Sequence, residues 1–144
     1  MARDAVSFRA SLEGFRGVER DVAVRSDQTL IDLHRVLQDA FGWGDDHLYS
    51  FWLDGEFWGS AESEYSAPFE LEPGQKSADV KLADLELLPG ATIAYVFDFG
   101  DCWSVLLTVL ATGPADEESY PRVVASKGEA PPQYEEEEDE PDAE

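Results

Sequence analysis

Cysteine and asparagine are nearly missing from this sequence of 144 residues, which has one cysteine (Cys102) and no asparagine. A single cysteine cannot form an intramolecular disulfide, and a chain without asparagine offers no acceptor for an N-linked glycan. These absences argue against the disulfide-rich secreted class and are typical of proteins from reducing compartments. We therefore expect a cytoplasmic protein.

Long hydrophobic runs are also missing. Residues 1–14 alternate polar and apolar side chains, whereas a signal peptide needs an unbroken apolar segment. No later run approaches the roughly 18 apolar residues of a membrane span. The sequence therefore predicts neither export through a signal peptide nor insertion into a membrane.

Basic side chains are few, because 10 lysines and arginines stand against 32 aspartates and glutamates, a formal net charge of -22. Nine of the acidic residues lie in 129–144, where no basic residue occurs, and the rest of the chain is still acidic. Such a charge repels nucleic-acid phosphates and anionic lipid headgroups. We therefore expect no direct nucleic-acid binding and no membrane partner.

Apolar content, by contrast, is sufficient for one core. Hydrophobic residues make up 43% of the chain and aromatic residues 12%, in a chain of ordinary single-domain length. The acidic C-terminal end cannot offset the entropy lost on ordering it. We predict one domain over residues 1–128 and a disordered acidic tail over residues 129–144. That tail either solvates the protein or acts as a decoy for a basic partner.

Periodicity predicts the elements of the first third of the chain. Apolar residues alternate with polar ones at the start and, after a glycine-rich turn, strand-like composition continues, which favours an opening hairpin over residues 6–25. Thr29 begins a capping-box pattern, apolar residues follow at helical spacing, and Gly42 ends it. The main helix is therefore predicted over residues 29–41.

Two aromatic-rich runs follow the helix. Residues 48–53 and 56–58 are joined by Asp54-Gly55, a dipeptide that favours a two-residue hairpin turn. We therefore predict a second hairpin there. Residues 59–78 are rich in Ser, Glu, Pro and Gly, which predicts a long loop.

A third hairpin is predicted in the second half. Residues 93–99 alternate, Gly100-Asp101 supplies a turn, and residues 102–110 are apolar in a way that suggests cover on both faces. A short last strand is expected at residues 122–125. Together these patterns predict an α+β fold with a mixed or antiparallel sheet of about 5–7 strands, one main helix across one face and a β-grasp-like ββα opening.

Two segments carry a resemblance to a known family: DLHRVLQDAFGWGDDHLYSF (Asp32 to Phe51) and YVFDFGDCW (Tyr95 to Trp103). In this order and spacing they resemble the plasmid pRiA4b ORF-3-like family over roughly residues 6–128. The resemblance implies a small bacterial or archaeal protein, encoded on plasmids, on chromosomes or as a passenger of insertion elements, with an uncharacterised activity.

The chain departs from the family pattern at two places. Where a Trp-Arg-Arg run is usual in the family, this chain has Glu19, Arg20 and Asp21 and so keeps only one of the three residues, and Val105 stands where a histidine is frequent. Any family site that depends on those groups is therefore altered in this protein.

One group of residues suits a metal ion. His47, Asp45, Asp46, Asp98 and Asp101 converge if the helix exit and the last hairpin meet at one end of the sheet, and imidazole with carboxylates holds divalent cations. Residues of these types also cap backbone amides in turns, which is the commoner role and needs no cofactor. The alternative function is therefore a metal-dependent enzyme acting on phosphoesters or another small substrate through His47, Asp98 and Asp101.

Other catalytic signatures are weak or missing. Cys102 has the anionic Asp101 as its ionisable neighbour, which disfavours a thiolate nucleophile and favours a small buried residue. Asp98-Phe99-Gly100 spells a kinase magnesium triplet, but the phosphate loop and catalytic loop of kinases are missing. The sequence also has no P-loop, GxSxG or HExxH motif. We assign no catalytic residue.

Aromatic rings beside the predicted turns are the remaining candidates. Trp and Tyr dominate protein-interaction sites, and a ring beside a turn is hard to bury completely. The rings that we expect to line a groove are Trp43, Tyr49, Trp52, Trp58 and Trp103. We therefore predict a non-enzymatic protein-interaction module associated with plasmids or mobile elements; the sequence leaves its oligomeric state open.

Overall fold

One mixed sheet and one α-helix make up the fold of the computed structural model, which describes residues 4–44, 47–69, 71–100, 102–116 and 118–131. In chain order the elements are β1 (Asp4–Leu12), β2 (Glu19–Arg25), α1 (Leu30–Phe41), β3 (Tyr49–Trp52), β4 (Glu64–Ser66), β5 (Lys76–Ser77), β6 (Thr92–Phe97), β7 (Trp103–Pro114) and β8 (Arg122–Lys127). The strand order is β5-β4-β3-β6-β7-β1-β2-β8, and all neighbours are antiparallel except β4 and β5. Short 3-10 helical turns occupy Ala61–Ser63 and Leu82–Leu85.

The two faces of the sheet are covered differently. On β1, Phe8 and Ala10 are fully buried in the same core as Leu33 and Leu37 of α1, whereas the intervening Arg9 is exposed. This is the period of two that the sequence predicts, because successive side chains of a strand point to opposite faces. We call the side that packs on α1 the helix face and the other side the helix-free face.

The helix begins and ends as predicted. The Thr29 hydroxyl accepts from the Asp32 backbone N–H, and the Asp32 carboxylate accepts from the Thr29 N–H at 2.9 Å, which is a complete capping box. At the other end Gly42 takes φ 78°, a left-handed conformation that glycine adopts without a Cβ clash. Local chemistry therefore fixes both ends of α1.

The α+β class is confirmed, but the expected number of strands is too low. The described residues form eight strands instead of about 5–7, partly because residues 59–78, predicted as a loop, contain β4 and β5. The β-grasp-like detail is not confirmed beyond the ββα order. The first strand lies between β7 and β2 and is antiparallel to both.

The second predicted hairpin is wrong. Residues 56–58 form no strand; β3 pairs instead with β4 on one side and β6 on the other. Gly55 does take the positive φ expected of its turn, at 78°. The turn is thus real, but the chain that leaves it crosses the helix-free face and does not run back along β3.

The third hairpin is present with a different turn. Its strands β6 and β7 are antiparallel, but they are joined by residues 98–102 and not by a two-residue turn at Gly100-Asp101. Asp98 and Cys102 supply the left-handed conformations, and Gly100 does not. The expected cover on both faces of β7 is also incorrect, because Val105, Leu107 and Val109 are buried while Leu110 is exposed.

Candidate functional site

The exit of α1 and the β6–β7 loop meet at one end of the sheet. The Asp98 backbone N–H donates to the Leu48 carbonyl at 2.8 Å, which ties the loop to the start of β3. His47 Nε2 lies 3.7 Å from Asp98 Oδ2, and Asp98 is 7% exposed. The two predicted residues thus come together here, whereas Asp45, Asp46 and Asp101 lie outside the described residues.

The β6–β7 loop carries backbone strain. Asp98 and Cys102 have φ of 65° and 55°, values that L side chains rarely adopt. The loop is held by the Gly100 N–H, which donates to Asp98 Oδ1, and by the Cys102 thiol, which donates to the Phe99 carbonyl at 3.0 Å. Cys102 is therefore an exposed loop residue and not the buried small residue that we expected.

The described part of this end is not a metal centre by itself. His47 and Asp98 offer two ligand side chains, fewer than the four or more ligands that zinc or calcium takes in proteins. Within the described ranges, no group of three or more His, Cys, Asp or Glu side chains is placed to hold a metal ion. A site that includes Asp101 stays a prediction.

The predicted groove aromatics differ greatly in exposure. Trp43, Tyr49 and Trp52 are buried, Trp103 is half-buried and Trp58 is exposed. Trp43 stacks between Phe41 and Phe97, at ring-centroid distances of 4.9 and 5.4 Å. Its indole N–H and that of Trp103 have no hydrogen-bond partner among the described residues. Most of these rings thus belong to the interior.

An aromatic cluster lies on the helix-free face over Ala94 and Val96 of β6; we call it the aromatic cap, and it consists of Trp52, Phe57, Trp58 and Phe99. Trp58 lies 5.1 Å from both the Trp52 and the Phe99 rings, measured between centroids. It has a left-handed φ of 56° and is 53% exposed. The backbone therefore holds a large ring half in solvent at the centre of an aromatic cluster.

A cavity of about 240 Å³ adjoins the aromatic cap, and Phe99 belongs to both. We call it the acidic pocket; the side chains that give it its chemistry are Glu64, Ser66, Phe69, Leu71, Glu72 and Phe99. Phe69 and Leu71 are exposed apolar residues from the β4–β5 connection. The pocket combines apolar walls with two carboxylates.

A short hydroxyl network fixes one of those carboxylates. Ser50 lies opposite Ser66 in the β3–β4 pair, so both hydroxyls share the helix-free face with Glu64. The Ser50 hydroxyl donates to Glu64 Oε2 at 2.7 Å and the Ser66 hydroxyl to the same oxygen at 3.1 Å. Ser50 is fully buried, so this contact is sheltered from water. Sequence reasoning missed this site because its members are 14 to 16 positions from Ser50 and match no motif.

A second buried polar pair lies on the helix face. His34 Nδ1 is 2.7 Å from the Tyr95 hydroxyl, and the His34 ring stacks on Tyr49 at 3.6 Å. Burial, with Arg35 nearby, lowers the pKa of His34 to about 3, and burial raises the pKa of Tyr95. His34 is therefore neutral at pH 7, which suits a core residue better than an acid catalyst.

The chain is similar in sequence to a known protein family. The chain matches the sequence profile of the family described as "Plasmid pRiA4b ORF-3-like protein" over residues 4–137. The chain belongs to the plasmid pRiA4b ORF-3-like family. It is 29% identical over 120 residues to the "Uncharacterized protein y4hQ" of Sinorhizobium fredii, a match that covers 81% of this chain and 58% of that relative. The chain thus spans less than two thirds of that relative's length.

A solved structure has a similar fold. The "Protein of Unknown Function MM3350" from Methanosarcina mazei Go1 superposes with a TM-score of 0.75 at 27% identity, over 92% of this chain and 74% of that chain. Both relatives of this pRiA4b ORF-3-like protein are thus described without an activity. Within the described ranges, no helix combines the length and apolar character needed to cross a membrane.

The departures from the family pattern lie away from the acidic pocket. Asp21 pairs with Arg9 at 3.0 Å, and Glu19 lies 3.9 Å from the same guanidinium, on an exposed part of the sheet. Val105 is fully buried in the core under α1. Neither departure therefore alters the lining of the acidic pocket.

Proposed function

We propose that this protein is a non-enzymatic interaction module that binds a protein partner through the aromatic cap on its helix-free face. The observation that carries the proposal is Trp58. A left-handed backbone costs a non-glycine residue on the order of 1–2 kcal/mol, and here it accompanies a half-exposed indole. Strain of this kind concentrates at ligand-binding sites, and tryptophan is the residue most enriched among interaction hot spots.

The surroundings of Trp58 favour recognition over chemistry. The exposed indole rests on Trp52 and Phe99, so a partner side chain that covers it would complete an existing apolar cluster. The buried ionisable pair of His34 and Tyr95 belongs to the helix-face core and does not face the cap. We also propose that the gene is associated with a plasmid or another mobile element. The name of the family supports only the plasmid association.

The test is a selection from a random peptide library displayed on phage, with the full-length protein as target. We expect enriched peptides with aromatic or aliphatic residues, and we expect Trp58→Ala to bind them about tenfold or more weakly, since hot-spot truncations cost roughly 2 kcal/mol or more. Affinities are measured by isothermal titration calorimetry with synthetic peptides.

The matched control is Leu88→Ala, because Leu88 is 69% exposed and contributes nothing to the cap. Leu88→Ala should bind the selected peptides as the wild type does. A selection that enriches no sequence, or equal losses in both variants, would refute the proposal. Circular dichroism of each variant checks that the fold is retained.

A metal-dependent enzyme is the second candidate, supported by the contact of His47 with the buried Asp98. Its substrate would be a phosphoester or another small molecule, with Asp101 as a third ligand. Calorimetric titration with calcium, magnesium, manganese and zinc tests it against His47→Ala and Asp101→Ala. The metal-dependent enzyme would be refuted if the wild type bound these metals no more tightly than millimolar. It would also be refuted if both variants bound them as the wild type does.

A further inference from the structure

We infer that the acidic pocket binds one cationic side chain of the partner, the ammonium of a lysine or the guanidinium of an arginine, with Glu64 as its counter-ion. The inference rests on the proposed function and names the chemistry of its partner. The occupant is a basic segment of a protein, which places an apolar residue on the aromatic cap and a basic residue in the pocket.

The size of the pocket fits a single side chain. Sites for drug-sized ligands have volumes of roughly 300–1,000 Å³. The acidic pocket, at about 240 Å³, is smaller than that range. Phe99 lines this pocket and also belongs to the aromatic cap, so one extended peptide can reach both the pocket and the cap. A side chain inserted from such a peptide is therefore a better match than a free small molecule.

The lining suits a long apolar stem that ends in a positive charge. Phe69, Leu71 and Phe99 provide apolar and aromatic contact, and the faces of aromatic rings attract cations. Glu64 and Glu72 provide negative charge, and the described lining includes no lysine or arginine. An acidic side chain would be repelled, and an uncharged one would leave the two carboxylates without a positive counter-ion.

The Glu64 carboxylate is fixed in position by hydrogen bonds before any cation binds. Both serine hydroxyls bond to its Oε2, at 2.7 Å from Ser50 and 3.1 Å from Ser66, so Oε1 receives neither of these bonds. A carboxylate fixed in one rotamer loses less conformational entropy when it binds a charge than a free one does. The two serines are thus positioning residues for the Glu64 carboxylate.

The chain's own lysine beside the pocket is engaged elsewhere. Lys76 of β5 donates to the Glu62 carbonyl, and its ammonium lies 5.0 Å from the centroid of the Tyr65 ring. Tyr65 packs against the core under α1, whereas Glu64 is on the opposite face of the same strand. Lys76 therefore does not occupy the position proposed for the partner's cation. The formal net charge of -22 also attracts a basic segment over distance.

The experiment uses two probes that differ in charge and share an apolar stem. The ¹⁵N-labelled full chain is titrated by NMR with N-acetyl-lysine methylamide and with N-acetyl-norleucine methylamide. We expect the lysine probe to shift amides of residues 64–75 and Phe99, and the norleucine probe to bind about tenfold more weakly, as befits the loss of a charged hydrogen bond. Glu64→Gln should lower the affinity for the lysine probe by a similar factor.

Glu64→Gln keeps an oxygen that can accept both serine bonds, so the local fold is preserved and the amide spectrum verifies it. Glu13→Gln is the matched control, because Glu13 is an exposed carboxylate in the β1–β2 turn and removes the same charge outside the pocket. Equal binding of the two probes, or equal losses in Glu64→Gln and Glu13→Gln, would overturn the inference. So would shifts confined to amides outside the pocket.

The two proposals fail in different ways. If the selected peptides bind Glu64→Gln as well as the wild type but lose affinity for Trp58→Ala, the interaction module stands and the cation site is wrong. If Trp58→Ala binds the peptides normally, the proposed function is wrong whatever the lysine probe does.

Discussion

At the scale of single residues, the burial of His34 makes the stability of the core sensitive to acid. The imidazole is buried, neutral and 2.7 Å from the tyrosine hydroxyl. Protonation would place an unpaired charge in an apolar core, which is why the pKa of His34 is lowered to about 3. In the unfolded chain the same group titrates near about 6.5.

The first prediction follows from that difference. Because the unfolded state binds the proton more readily, the stabilisation is fully present above pH about 6.5 and decreases as the pH falls towards about 3, by roughly 1.4 kcal/mol per pH unit. The free energy of unfolding is measured in urea at several pH values between about 7.5 and 5. His34→Gln removes the titration, so its stability should vary less steeply. Parallel curves for the two proteins would contradict the neutral, buried histidine.

Individual aromatic residues show what sequence could not resolve. Trp52 and Trp58 are six positions apart in two neighbouring aromatic-rich runs, and the sequence predicts that both line a groove. Trp52 lies in β3 and is buried, whereas Trp58 lies outside any strand and is half exposed. Local sequence propensity makes the same prediction for both tryptophans. Trp58 also has a left-handed backbone conformation, with φ 56°, which the local sequence does not predict.

At the scale of elements, Arg20 joins the end of α1 to the edge of the sheet. Its Nε donates to the Ala40 carbonyl at 2.9 Å, and its Nη1 donates to the carbonyls of Glu19 and Lys127 at 2.7 and 2.9 Å. The guanidinium also lies over the Phe41 ring. Carbonyls at a helix C-terminus lack intrahelical donors, so this buried arginine satisfies one of them.

Arg20→Met is therefore expected to destabilise the protein by about 2–3 kcal/mol, because it removes three hydrogen bonds that a buried guanidinium donates to partly buried carbonyls. Arg35→Met removes the same charge from the exposed side of α1 and should change stability by less than about 0.5 kcal/mol. Midpoints and slopes of urea unfolding measure both. Equal effects of the two substitutions would show that Arg20 acts only through its charge.

The elements themselves were predicted where local chemistry specifies them. The capping box at Thr29 and the glycine at position 42 identify α1 from nearby residues alone. The Asp54-Gly55 turn was also identified, but its partner strand was not. A Cβ on Gly55 would lie 2.3 Å from the Thr92 hydroxyl, so this glycine packs against β6, a contact that no local pattern reveals. Pairing of β3 with β4 and β6 depends on such distant contacts.

At the scale of the whole molecule, charge governs the approach of a partner. The formal net charge of -22 includes nine acidic residues in 129–144, and the acidic pocket lies on a body that is itself acidic. Long-range attraction of this kind is screened by salt, whereas a contact inside a pocket is screened less. Cytoplasmic location and a domain limit at residue 128 remain predictions, although Ala130 packs against the core.

We expect the affinity for a selected basic peptide to fall as NaCl rises from about 0.05 to about 0.5 M. A chain ending at Gly128 should show a weaker salt dependence and still lose affinity on Glu64→Gln. Calorimetric titrations at several salt concentrations measure both. A truncated chain with an unchanged salt dependence would show that residues 129–144 do not contribute to the approach.

The sequence alone determined what neighbouring residues decide: the alternation of β1, the ends of α1, the absence of disulfides, the acidic charge and the family. Only the tertiary structure determined the strand order, the exposure of Trp58 and the acidic pocket. Glu64 and Phe99 line the pocket, Ser50 bonds to Glu64, and the three residues come from separate segments of the chain. Local sequence patterns cannot predict this proximity, because the proximity arises from the pairing of strands that are distant in the chain.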